Sequence, residues 1–155
     1  MISSVTGKFG SFSGSAETND DDFSTVTANF SARIDSINTN DAQRDGHLMS
    51  ADFFDAEKFP ELTFVLKNMS ESSSAGVYDM TGDLSIKGVT KSVSLKGEFG
   101  GIGKDPWGNT RAGFSVTGAI NRDDFGLTWN AALESGGVLV SQEVKISCEI
   151  QLLKK

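Results

Sequence analysis

The chain lacks most of the groups on which cross-linking and catalysis draw. Its 155 residues contain one cysteine, Cys148, and one histidine, His47. A single cysteine excludes an internal disulfide and leaves the compartment open. One histidine and one cysteine cannot build a zinc site of the usual kind. Any Ser/His/Asp arrangement would have to run through His47, and Asp45, two positions away, would not face it on a helix. No run approaches the ~18 apolar residues that a membrane-spanning helix needs. Clustered cations are missing too: 14 Lys and Arg are scattered among 21 Asp and Glu, for a net charge of -7. That balance argues against a nucleic-acid partner, which needs a basic patch, and serves solubility. Met1-Ile2-Ser3-Ser4-Val5 has neither the basic nor the apolar region of a signal peptide, so cytoplasm and periplasm both remain open.

What is present is glycine, phenylalanine and period two. There are 17 Gly and 11 Phe against only 2 Pro, a balance that suits tightly turned β-structure. Residues 1–18 read as strand through Ile2, Val5, Phe9 and Phe12, ending in the Asn19-Asp20-Asp21-Asp22 turn. Val26, Ala28, Phe30, Ala32 and Ile34 then alternate with polar residues, as in a strand with one buried face. Further strands are expected at 62–69, 77–87, 89–99, 110–122 and 138–153, with a Gly-rich loop over 100–109. Strands of ten or more residues run above roughly 30 Å at ~3.3 Å per residue. Seven of them at meander spacing close most naturally into an up-and-down barrel over one domain, 1–155. The interior would be lined by Phe30, Phe64, Phe114, Ile120 and Ile146, and eight strands enclose room for one small ligand.

Two stretches interrupt the alternation. Asn38-Thr39-Asn40-Asp41 offers caps for a short helix through Arg44 and His47. An aromatic plug follows, with Phe53, Phe54 and Phe59 before Pro60. The second insertion, 123–137, carries Phe125, Leu127, Trp129 and Leu133. Asp52, Asp55 and Glu57 lack the glycine turn and terminal glutamate of a calcium loop and read as solvated or capping charge. Gly7, Gly10 and Gly14 fall within strand, where glycine marks bends and not a phosphate cradle. Arg44, Asp45 and His47 can tie the helix to the barrel rim or touch a ligand head group.

The segments QRDGHLMSADFFDAEKFPELTF, YDMTGDLSIKGVTKSVSL, DPWGNTRAGFSVTGAINRDDFGLTWN and GGVLVSQEVKISCEIQL, in this order and spacing, resemble the bacterial YceI-like, or polyisoprenoid-binding, family over essentially the whole chain. The resemblance implies an all-β fold: an extended eight-stranded antiparallel lipocalin-like barrel, with a helix and plug at 40–60 and an irregular insertion at 123–137. It implies non-catalytic binding or transport of an isoprenoid lipid, such as a polyprenyl phosphate or quinone-like chain, with no other cofactor and no metal. Ligand-contacting candidates are Phe30, Arg44, His47, Phe53, Phe54, Phe59, Phe64, Phe114, Arg122, Phe125 and Trp129, with Arg44 or Arg122 as the cation for a phosphate head. The family pattern opens with a further strand that Met1–Phe9 does not match. About seven strands are therefore expected here, and an open edge that invites a homodimer. The rival reading is a packed barrel with a structural or stress-response role and no lipid.

Overall fold

The computed structural model describes residues 5–19, 22–130 and 140–154. Ile2, the tip of the Asp20–Asp21 turn and Leu133 with the rest of 131–139 lie outside them. Among the described residues nine strands form: β1 (Lys8–Phe9), β2 (Phe12–Asn19), β3 (Asp22–Arg33), β4 (Ile37–Asn38), β5 (Glu61–Glu71), β6 (Val77–Ile86), β7 (Val89–Lys104), β8 (Thr110–Asn121) and β9 (Glu143–Leu153). One helix, α1 (Ala42–Met49), and 3-10 turns at Ile34–Ser36 and Arg122–Phe125 complete the order.

Seven strands make one antiparallel meander in the order β2-β3-β5-β6-β7-β8-β9, and β1 pairs separately with β4. The expected all-β antiparallel architecture is therefore present, and the sheet is curled. Leu66 and Met69 of β5 share a buried cluster with Phe114 of β8. Three inter-strand steps of ~4.8 Å would part β5 from β8 by roughly 14 Å in a flat sheet, so the contact itself reports the curvature. Val26 and Ala28 of β3, and Ile150 and Leu152 of β9, pack on the same cluster. Among the described residues the curl stops short of a hydrogen-bonded closure: β2 and β9 are the two edges.

Departures from strict alternation have local causes. The opening strand breaks at Gly10–Ser11, which divides β1 from β2. The stretch expected to be a Gly-rich loop instead continues β7 to Lys104. Gly101 has φ +116°, and the register shifts between Phe99 and Gly101. These glycines make a bulge inside a strand and not a loop; the true turn is only Asp105–Asn109. There Asp105 accepts hydrogen bonds from Trp107 N–H and Asn109 N–H, both at 2.9 Å. It also accepts from Arg111 Nε at 2.8 Å. That cation first, and then the two amides, hold the Asp105 carboxyl down at about 2 against the opposing effect of burial.

Candidate ligand-binding interior

The wall is built by pairing like with like across the sheet. Phe30 of β3 stands opposite Phe64 of β5, which stands opposite Leu84 of β6. Farther along, Phe99 of β7 faces Phe114 of β8, which faces Ile150 of β9. Period two thus gathers the apolar residues on the concave face. One end of this face packs around Met69, Tyr78, Phe99 and Phe114, and the other around Leu84, Ile86, Phe125 and Leu127, with Phe64 touching both clusters. Between these anchors much of the face is only half-buried: Val26, Ala28, Phe30, Phe64, Met80, Leu95, Ile120, Ile146 and Ile150 all keep solvent access. A filled core would bury such residues.

Inward-facing glycines let neighbouring side chains lie flat on this floor. A Cβ on Gly82 would sit 2.5 Å from the Phe64 ring and from the Val65 carbonyl oxygen. Met69 reaches the interior by a different device. Strict alternation from Leu66 would turn Asn68 inward, but the β5–β6 register shifts between Leu66 and Asn68 and brings in Met69 instead. Met69, Tyr78, Met80 and Phe99 were absent from the candidate set; the Lys67-Asn68 polar pair was the available signal for the shift.

The plug residues converge at one end. Asp41 caps α1, accepting from Gln43 N–H and Arg44 N–H at 3.1 Å. Asp45 accepts from both the backbone N–H and the hydroxyl of buried Thr39. Arg44 donates through Nε to the Thr39 hydroxyl at 2.9 Å and through Nη2 to the Thr39 carbonyl at 2.8 Å. Arg44 and Asp45 thus fasten the helix to the segment before it. His47 faces forward: Nε2 lies 2.9 Å from Asp52 Oδ2. Its ring stands edge-on to Phe53 at 5.1 Å and to Trp129 at 4.6 Å, so His47, Phe53 and Trp129 form one aromatic cluster. Phe54 and Phe125 join the Leu84 cluster beside them. Phe59 instead covers the β6–β7 turn, where a Cβ on Gly88 would meet its ring at 2.8 Å; φ +76° there is a glycine conformation.

Arg122 is placed otherwise than a head-group cation would be. It is 3% exposed, and its guanidinium donates to four backbone carbonyls: Ser141 from Nε, Leu127 and Trp129 from Nη1, and Val140 from Nη2. It clamps both flanks of the second insertion to the sheet. The open concavity at the opposite end of the sheet, lined by Gly100–Lys104, Arg111, Gly113 and Gln151, measures about 430 Å³. It contains none of the candidate residues.

A family model described as a YceI-like domain matches residues 1–152. The chain belongs to the YceI-like family. A UPF0312 protein of Staphylococcus aureus strain MSSA476 is 41% identical over 152 residues, covering 97% of this chain and 85% of that one. A YceI protein of Campylobacter jejuni, solved in crystals with large solvent channels, superposes with a TM-score of 0.86 at 32% identity, over 100% of this chain and 88% of that one. BcnA of Burkholderia cenocepacia has a TM-score of 0.80 at 22% identity, over 94% of this chain and 86% of that one, a likeness of fold alone. The YceI-like interior is thus an apolar concave sheet face with an aromatic plug at one end. Cys148 lies on that face, half-buried. Burial, and then the neighbouring Glu149 charge, push its thiol up from the ordinary value. Among the described residues no cluster of His, Cys, Asp and Glu could hold a metal ion, and no helix is long and apolar enough to cross a membrane.

Proposed function

We propose that this YceI-like protein binds an isoprenoid-type lipid, a polyprenyl phosphate or quinone-like chain, without catalysis, and carries its tail along the concave face of the sheet. The observation that supports this is the half-buried apolar row from Phe30 and Phe64 to Ile146 and Ile150. A tail laid there removes apolar surface of both partners from water, at roughly 25 cal/mol per Å², offset by ordering a flexible chain. His47, Phe53, Phe54, Phe125 and Trp129 bound the plugged end. Arg44 is the cation for an anionic head: among the described residues its Nη1 has only Asp41, at 3.8 Å, as an ionic neighbour. Arg122, committed to carbonyls, holds the insertion in place. Self-association as a homodimer accompanies this reading.

The test is gentle native mass spectrometry of the purified chain, with solvent extraction and identification of whatever is released. A stoichiometric prenyl-chain adduct is expected. Added lipid should also protect Cys148, the single thiol, from alkylation. A bare chain that takes up neither polyprenyl phosphate nor quinone, with Cys148 alkylated at one rate throughout, refutes the carrier reading and leaves a packed structural barrel.

A further inference from the structure

We infer that residues 41–59, the helix α1 with the aromatic plug, swing as one rigid lid over the plugged end of the interior, hinged at Thr39 and Pro60 and latched by Lys87. The lid is the way in for the tail proposed above and rests on that reading for its cargo; the movement itself does not depend on lipid.

The backbone of this stretch bonds to itself. Beyond the turns of α1, the Phe54 N–H donates to the Leu48 carbonyl at 3.0 Å and the Ala56 N–H to the Met49 carbonyl at 2.9 Å. The Asp55 N–H donates to the Ser50 carbonyl and the Phe59 N–H to the Asp55 carbonyl, both at 2.9 Å. The His47–Asp52 pair and the Ser50 hydroxyl on the His47 carbonyl close the same unit from the side chains. Among the described residues no backbone group of 41–59 pairs with a strand. Such a unit can move without breaking its own hydrogen bonds.

Its two anchors are made to one short stretch, 34–39. Arg44 and Asp45 hold Thr39, which packs beneath Gly7: a Cβ there would lie 2.7 Å from the Thr39 methyl. At the other end the Pro60 carbonyl accepts from the Ile34 N–H at 2.9 Å. Two fixed ends on one stretch define a hinge line. Between them, the described contacts of the lid with the sheet come from side chains. Phe54 rests on the Leu84, Ile86, Phe125 and Leu127 cluster and on Phe9, and Phe59 lies over Gly88. The polar tie is Lys87, whose Nζ donates to the Ala51 carbonyl at 3.0 Å. Lys87 holds φ +52°, in the left-handed region that favours glycine, yet a glycine there could not reach the lid. The facing jaw is fixed, because Arg122 ties down both flanks of the second insertion. The jaws meet through rings, Trp129 against His47 and Phe53, and rings part without orphaning a polar group.

The test uses the full chain with Cys148→Ser and Leu84→Cys, which puts the single thiol beneath the lid. Ile86→Cys serves where the first variant fails to fold, as read by circular dichroism. The alkylation rate gives the population of openings that uncover the cluster. Amide exchange at Phe54 and Ala56 gives the openings that break the lid's own hydrogen bonds. The first population should exceed the second by about tenfold or more. Lys87→Met should raise alkylation by about threefold to tenfold, the effect of losing one hydrogen bond to a charged group, and leave exchange unchanged. Equal populations by the two measures would show that 41–59 unfolds instead of swinging. Alkylation no faster than global unfolding would make the plug a fixed wall, and an indifferent Lys87→Met would remove the latch. Each of these overturns the proposal. Lipid enters none of the measurements, so their failure leaves the carrier reading standing, and a chain that binds no lipid leaves them unaffected.

Discussion

Replacing Arg122 separates a structural clamp from a ligand contact. In Arg122→Ala the carbonyls of Leu127, Trp129, Val140 and Ser141 lose their donors together. Hydrogen bonds to a charged group contribute ~1.5–3 kcal/mol each, so four set a ceiling of roughly 6–12 kcal/mol. Water brings that down, because Trp129, Val140 and Ser141 are half-buried and their carbonyls can be rehydrated. A net loss of ~3–5 kcal/mol follows, the size seen when one member of a buried polar pair is removed. That is a large part of the ~5–15 kcal/mol of a typical domain and about 10 °C in melting temperature. Lysine in its place keeps a charge and three donors but not the planar fork, so Arg122→Lys should recover only part. Denaturant unfolding gives the free energy. Emission from Trp129, read in a Trp107→Phe background, reports whether its ring contacts with His47 and Phe53 have loosened. An Arg122→Ala protein as stable as the parent, with unchanged emission but no lipid uptake, would refute the clamp and restore Arg122 as a head-group cation.

Two further predictions concern the sheet itself. Asp105 is held at about 2 first by the Arg111 hydrogen bond and then by its amide partners. Its folded value is depressed, so the stabilisation of the 105–109 hairpin is complete above the ordinary 3.8 and is lost as the pH falls through about 2. Amide exchange at Trp107 and Asn109 should accelerate over that window and in Asp105→Ala at neutral pH; exchange unchanged in both would disprove the assignment. Gly82→Ala should destabilise by ~1–3 kcal/mol, because its Cβ meets the fixed Val65 carbonyl as well as the Phe64 ring, both at 2.5 Å. A cost below ~0.5 kcal/mol, the range of neutral surface changes, would mean that the strand yields more easily than the approach implies.

The amino-acid order alone determined the all-β class and which face of each long strand is apolar, because side-chain direction alternates with every residue. It also determined the capped helix, since Asp41 acts through amides two and three positions away. All of these are local. The FFD, TGDL and NRDDFG runs carried the family in the same way, by residue identity without geometry. What local pattern could not settle was anything dependent on partners distant in the chain. The β5 register shift exchanged Asn68 for Met69 in the interior, and the Gly101 bulge turned an expected loop into strand, because inter-strand pairing decides both. By residue type Arg122 is a candidate head-group cation; the fold brings the carbonyls of Leu127, Trp129, Val140 and Ser141 around it. The curl that sets β5 against β8, and the strand order that leaves β2 and β9 outermost among the described residues, belong to tertiary structure as well. They follow from accumulated strand twist and from the packing of two clusters across the sheet, quantities that no single strand contains.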